Sequence, residues 1–161
     1  MLEEAVAYAL EAHKGQLDQS GEPHFFHCFR VMDRVRVAGG SELAQLGAVL
    51  HDTIEDDEHT DFFKLQRLFG YKVADIVGAV SKEDGEPYMD FVHRSVTHSP
   101  EARLVKYCDV KDNYDRSNTP ELKGLRDRGE KALRYMLEYV ISEGLNDDLV
   151  WRATGYVMGY R

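Results

Sequence analysis

Helix-start and helix-stop signals recur along this 161-residue chain, and no stretch between them alternates apolar and polar residues as a half-buried strand does. That pairing confines the fold to helices packed on helices. Leu2 to His13 forms an amphipathic pattern, with Ala5, Ala9 and Ala12 near one face and Val6 and Leu10 beside them. After the Gly15–Gly21 loop, Pro23 sits where a helix can begin, and the pattern runs to about Val37 before Gly39-Gly40. Ser41 is a plausible cap for a helix from Glu42 to about Ile54, and Thr60 for one from Asp61 to Phe69, stopped by Gly70. Tyr71 to Val80 continues as another helix. A charged loop over Ser81–Pro87 precedes a short helix from Tyr88 to His98. Ser99-Pro100-Glu101 opens a helix to about Asp115, and Thr119-Pro120-Glu121 opens a long one to about Ser142, closed by Gly144. Asn146 can cap a last helix through Tyr156. The expected class is all-α.

Length and composition narrow the reading further. A chain of this size forms one domain, expected over 1–161, and buries a core without staples. Its apolar runs are far too short to span a bilayer, and the acidic start Met1-Leu2-Glu3-Glu4 lacks a signal-peptide layout. Cys28 and Cys108, far apart, make neither a disulfide framework nor a zinc-finger spacing, so buried thiols in the reducing cytoplasm are expected. The net charge of -9 repels nucleic acid, though a metal and a few local cations still admit a small polyphosphate. Oligomeric state stays open, and the aromatic tail Trp151 to Tyr160 can pack on the core or on a second subunit.

Chemistry concentrates at His51-Asp52-Thr53-Ile54-Glu55-Asp56, directly after the apolar run Leu46-Gly47-Ala48-Val49-Leu50. Carboxylates are seldom buried unless paired or coordinated. On one continuous helix His51 and Glu55 share a face, while His51 and Asp52 are about 100° apart and meet at one ion only in the notch between them. His27 lies in the apolar run Phe25 to Phe29, and Asp109 follows Leu104 to Cys108. Alone, His27 is more often a hydrogen-bonded core histidine, and Asp109 a helix-surface acid or half of an ion pair with Lys106. Together, two imidazoles and two carboxylates suit a divalent transition ion such as Mn, Fe, Co or Zn. Lys106, Lys111, Arg94 and Arg116 are candidate phosphate clamps or ordinary exposed cations. Tyr88 and Phe91 either stack on a base or belong to the core.

The order His27, His51-Asp52, Asp109 resembles the HD-domain metal-dependent phosphohydrolases. A wider match over roughly residues 5 to 120 is similar to the small alarmone hydrolases and to the hydrolase domain of bifunctional alarmone enzymes. It rests on Ala12 to Gln16, Ser20-Gly21-Glu22-Pro23-His24-Phe25-Phe26-His27, Leu50 to Asp56, Phe69-Gly70 and Val105 to Asn113. The resemblance implies a compact helical HD bundle that holds one Mn ion on His27, His51, Asp52 and Asp109. It also implies removal of the 3′-pyrophosphate from a guanosine or adenosine bis-polyphosphate. Glu55 then accepts the proton of the attacking water, Asp56 orients that water or protonates the leaving oxygen, and Asn113 donates to a ribose hydroxyl or phosphate. Lys106, Arg94 and Lys111 are the expected substrate contacts. The chain departs from the branch at Asp18 and Gln19, where enzymes acting on guanine alarmones typically carry Arg-Lys. Two other readings stay open: a different HD phosphatase, acting on a nucleoside monophosphate or a dNTP, and a nucleotide-binding sensor with little turnover.

Overall fold

The computed structural model describes residues 1–145 and 147–154. Ten α-helices and one 3₁₀ turn follow one another among the described residues: α1 (Leu2–Ala12), α2 (Phe25–Val37), α3 (Glu42–Leu50), α4 (Thr53–Asp56), α5 (Phe62–Phe69), α6 (Tyr71–Val80), α7 (Tyr88–His98), α8 (Pro100–Arg116), the 3₁₀ turn Pro120–Leu122, α9 (Lys123–Ser142) and α10 (Asp148–Ala153). The only β pairing described is an isolated bridge between Leu17 and Pro23, which pinches the loop before α2.

Helix α8 organises the bundle. Every residue from Ala102 to Val110 is buried, as expected of a helix enclosed on all sides. Leu104, Val105 and Cys108 join a core built mainly from α1, α2, α3, α5 and α6. Tyr107 and Val110 join a second core with α7, α9 and α10. Both cysteines are free and buried, as expected. A helix enclosed in this way must satisfy its polar side chains internally. Arg103 does so against Asp147 at 2.7 Å and the Val96 carbonyl at 3.0 Å. Its other buried polar groups, Lys106, Asp109 and Asp112, face the site described below.

Four local expectations need correction. Helix α3 ends at Leu50 rather than near Ile54. The His51 Nδ1–H donates to the Ala48 carbonyl at 2.8 Å and the Thr53 hydroxyl to the Leu50 carbonyl at 2.7 Å. Side chains thus take carbonyls that a continuing helix would have used. Asp52 sits between α3 and α4 with φ -92° and ψ -5°, the bridge region. Asp61, not Thr60, caps α5, because its carboxylate accepts from the Lys64 N–H at 2.7 Å. The Thr60 hydroxyl is already engaged: it donates to Asp57 and accepts from the Tyr8 hydroxyl, both at 2.6 Å. Pro120 opens a 3₁₀ turn, and α9 begins only at Lys123. Asp147 caps α10 through the Val150 N–H at 3.2 Å, while Asn146 and the tail beyond Thr154 lie outside the described residues.

One close approach holds the site-bearing segment in place. A β-carbon on Gly47 of α3 would lie 2.5 Å from Cγ2 of Ile76 in α6, so only glycine lets these helices touch.

Candidate functional site

The break after α3 is what gathers the site. It turns the Asp52 carboxylate back so that its Oδ1 lies 3.1 Å from His51 Nε2. Across from it, on α2, His27 Nε2 lies 3.2 Å from Asp109 Oδ1 and 3.7 Å from Asp52 Oδ2. His51 Nε2 is itself 3.7 Å from Asp109 Oδ1. His27, His51, Asp52 and Asp109 therefore converge from α2, the α3–α4 break and α8. Ligand-capable atoms of His27, His51 and Asp52 all lie within 4.8 Å of one another.

The imidazoles are oriented as metal ligands are. His27 donates through Nδ1–H to Asp112 Oδ2 at 2.9 Å, and His51 donates through Nδ1–H to a backbone carbonyl. Such outer hydrogen bonds fix the tautomer and aim Nε2 at a shared point. Nε2 of His51 is fully buried and has no hydrogen-bond partner despite its nearness to Asp52. A buried nitrogen left in that state is costly in a protein interior, and a cation among these donors relieves it. Two imidazoles and two carboxylates thus fit a divalent ion.

Electrostatics point the same way. Burial opposes charge on every group here, but their mutual attraction outweighs it. His27 is held up at about 9, burial lowering it while Asp109, Asp112 and Asp52 raise it more. His51 is likewise raised well above the ordinary range against full burial, mainly by Asp52 and Asp109. Asp52 and Asp109 lie well below the ordinary carboxylate range in spite of burial, Asp52 chiefly through His51 and Asp109 chiefly through Lys106 and His27. The two carboxylates thus favour positive charge at the point between the imidazoles.

Above the donors opens a cavity of about 440 Å³ whose wall includes Glu55, Asp56, Lys106 and Asn113. Glu55 is fixed through Oε1, which accepts from the Lys82 N–H at 2.8 Å; burial and then Asp52 raise its pKa against that bond. Asp56 is raised as well, by burial and by Asp52. Because the helix breaks at Asp52, Glu55 reaches the cavity from α4 and not from a face shared with His51 on one helix. Asn113 donates to Asp109 Oδ1 at 2.8 Å, and Lys106 to Asp109 Oδ2 at 2.9 Å while lying 3.9 Å above the Phe91 ring.

Two expected substrate contacts fall elsewhere. Arg94 does not line the cavity: its guanidinium is bound to Glu86 at 2.8 Å and to the carbonyls of Gly78, Ala79 and Ser81. It braces the loop after α6. Lys111 pairs with Asp115 on the far side of α8. Arg116 is held by Ser20 and Glu22, both at 2.7 Å. Tyr88 and Phe91 do line the cavity, Phe91 as a buried side chain.

Sequence reasoning missed Asp112, His24, Lys82 and Arg128. Asp112 follows Asp109 by three residues and so shares its helix face, a signal that was available. His24 precedes His27 by the same interval, and its Nε2–H donates to Asp52 Oδ2 at 2.9 Å. Lys82, in a loop, and Arg128, stacked 4.8 Å from the Tyr88 ring, reach the cavity wall only through tertiary packing.

Residues 5–109 match the HD domain. The guanosine-3′,5′-bis(diphosphate) 3′-pyrophosphohydrolase MESH1 of Danio rerio is 34% identical over 132 residues, 75% of this chain and 72% of the relative. The chain belongs to the HD-domain family. A 3′-pyrophosphohydrolase of the same name from Aquifex aeolicus is 29% identical over 120 residues, 70% of this chain. A probable chloroplastic GTP diphosphokinase, RSH2 of Oryza sativa, is 39% identical over 74 residues, 46% of this chain. This HD domain spans only 17% and 10% of the length of those two larger relatives. A solved structure described as a metazoan ortholog of SpoT that hydrolyzes ppGpp superposes with a TM-score of 0.73 at 22% identity, covering 96% of this chain and 95% of that one. The two share the helical HD fold.

Proposed function

We propose that this HD domain, acting as one unit over residues 1–161, is a Mn²⁺-dependent pyrophosphohydrolase. Its substrate is a nucleotide 3′-polyphosphate of the guanosine or adenosine alarmone type. The observation that carries this is the convergence of His27, His51, Asp52 and Asp109 beneath a cavity whose wall presents both Glu55 and Asp56. The named activity of the MESH1 and Aquifex relatives supports the substrate class.

His27, His51, Asp52 and Asp109 would hold the ion, which supplies an acidified water and draws charge from a phosphoryl oxygen. Glu55 accepts the proton of the attacking water: its Oε1 is anchored on the Lys82 N–H and the residue lines the cavity. Its raised pKa brings it nearer neutrality, where a base both exists and accepts a proton readily. Asp56 orients the water or protonates the leaving oxygen. Asn113, already aimed at the centre by Asp109, donates to the sugar or a phosphate. Lys106, Lys82 and Arg128 set positive charge around the polyphosphate.

One feature favours a second HD reading, a phosphatase for nucleoside monophosphates or dNTPs. At the position of the Arg-Lys pair stands the Asp18 carboxylate, which accepts from the N–H groups of Ser20 and Glu22 in its own loop at 2.8 and 3.0 Å. It therefore offers no cation to a guanine base or its phosphates. The deciding experiment incubates the Mn²⁺-loaded protein with guanosine and adenosine alarmones, nucleoside monophosphates and dNTPs, and identifies products. Pyrophosphate released only from the alarmones is expected; inorganic phosphate from a monophosphate overturns the reading.

A further inference from the structure

Behind the cavity wall lies a group of donors that the proposed chemistry does not use. His13 closes α1, His24 precedes α2, and Cys28 stands four residues further along that helix. One ligand-capable atom from each lies within 4.8 Å of those of the other two. The His13 and His24 ring centroids are 4.7 Å apart. His13 is 2% exposed and Cys28 is wholly buried, whereas His24 lines the cavity and gives the group its way in.

The surrounding hydrogen bonds fix which atoms the group offers. The Gln16 amide donates to the Asp56 carbonyl at 2.7 Å, so its oxygen is left to accept from His13 Nδ1–H at 2.8 Å. In the neutral ring His13 Nε2 is therefore bare, and it is buried with no hydrogen-bond partner, the Cys28 thiol included. His24 Nε2–H donates to the Asp52 carboxylate at 2.9 Å, which leaves Nδ1 of the neutral ring bare as well. Both imidazoles are thus held by an outer acceptor as metal-bound histidines are, with a thiol beside them. A buried lone pair without a donor is costly, and a cation bound by all three side chains removes that cost.

We propose that His13, His24 and Cys28 form a site for a thiolate-binding divalent ion, Zn²⁺ above all, separate from the centre at His27, His51, Asp52 and Asp109. Imidazole with thiolate selects Zn²⁺ over the harder Mn²⁺, which prefers carboxylate and water. On binding, Cys28 Sγ bonds to the ion and its proton leaves to solvent, and a water completes the tetrahedron. The ion joins the end of α1 to the start of α2 and keeps His24 as the hydrogen-bond donor to Asp52. The inference does not depend on which ion the first centre takes or on which nucleotide the protein hydrolyses.

Cobalt(II) is the probe, because a cobalt–thiolate bond gives an intense near-ultraviolet charge-transfer band that imidazole and carboxylate ligands do not. Reduced, metal-depleted protein is titrated with Co²⁺ and then with Zn²⁺. The band is expected to grow with bound Co²⁺ and to vanish as Zn²⁺ displaces it. His51→Ala, which disables the first centre, is expected to keep the band. Cys28→Ala is expected to lose it while still binding Co²⁺ at the first centre. Should Cys28→Ala fail to fold by circular dichroism, His13→Gln serves, with Co²⁺ affinity read from the band falling about tenfold or more and Mn²⁺ affinity unchanged. Bound Co²⁺ without a thiolate band overturns this site and leaves the first centre standing. A band that persists in Cys28→Ala, or undiminished affinity in His13→Gln, overturns the assignment of those residues. A band lost from folded His51→Ala overturns the separation of the two sites, and no bound Co²⁺ at all overturns both.

Discussion

His27 on α2 donates to the buried Asp112 carboxylate on α8 at 2.9 Å, and that bond decides which imidazole nitrogen faces the centre. Asp112 is in turn held by Arg30 at 3.0 Å, so the orientation of His27 passes outward to the protein surface. Asp112→Asn preserves shape and removes the charge. It is expected to weaken Mn²⁺ binding by about 10–100-fold with little change in helical content. Calorimetric titration checks this; unchanged affinity would show that α2 alone sets the ring.

Glu55 is anchored on the Lys82 backbone, outside the four residues proposed to hold the ion. Glu55→Gln is therefore expected to keep full Mn²⁺ affinity and lose turnover by about 10²–10⁴-fold. A variant that turns over normally removes Glu55 from the proton-transfer step. One that loses metal instead makes Glu55 a ligand.

Much of this arrangement was legible before any coordinates, because it is written in local patterns. The apolar run ending at His51-Asp52, the polar His27 among phenylalanines and Asp109 behind five largely apolar residues each announced a polar group in a buried helix. The capping signals at Ser41 and Ser99 placed the starts of two helices correctly, each serine accepting from the N–H three residues on. What stayed hidden was tertiary. The halt of α3 at Leu50 depends on two side chains folding back onto carbonyls, which helical periodicity cannot register. Arg94 had the composition of a phosphate clamp, but its partner Glu86 and three carbonyls are assembled only by the packing of α6 against α7.

On the proposed ligand set, the proton and the ion compete for His27. In metal-free protein its pKa is raised from the ordinary 6.5 to about 9, so protonation is favoured by folding. That contribution is fully present below about 6.5 and fades as pH climbs through about 9. His51 is shifted in the same direction. Metal-free protein is thus expected to melt lower at pH 9 than at pH 6.5, while Mn²⁺ affinity rises over the same interval and binding releases protons. Thermal melts with and without Mn²⁺, and calorimetry in buffers of different ionisation enthalpy, measure both. A metal-free protein that gains stability on passing upward through this window contradicts the assignment.

Arg94 is expected to matter for stability and not for substrate affinity. Arg94→Ala strips the guanidinium from Glu86 and from the carbonyls of Gly78, Ala79 and Ser81, a loss of about 1.5–3 kcal/mol for charged hydrogen bonds. Glu86 carries a matching pH signature. The Arg94 hydrogen bond lowers its pKa from 4.5 to about 2, so the pair stabilises fully above about 4.5 and is lost as pH falls toward 2. The Arg94→Ala penalty should therefore shrink on acidification, and KM at neutral pH should stay near that of the unmodified protein. A large rise in KM with unaltered stability would return Arg94 to the substrate.

Gly47 carries no chemistry, yet it sets how closely α3 approaches α6. Its added β-carbon would meet Cγ2 of Ile76 at 2.5 Å and Cβ of Ile76 at 3.3 Å, atoms of a β-branched side chain that cannot swing clear. Overpacking of this kind costs about 1–3 kcal/mol, against about 1 kcal/mol returned by replacing glycine inside a helix. Gly47→Ala is therefore expected to be destabilising on balance. Ile76→Ala alone is destabilising for the opposite reason, since it leaves a void. Combined, the methyl added at Gly47 enters part of the space left by the three carbons that Ile76→Ala removes, and the double variant should be more stable than the sum of the singles predicts. Denaturant unfolding of all four proteins measures the coupling. Strict additivity would mean that the helices separate freely and that the position of His51-Asp52 at the end of α3 does not depend on this contact.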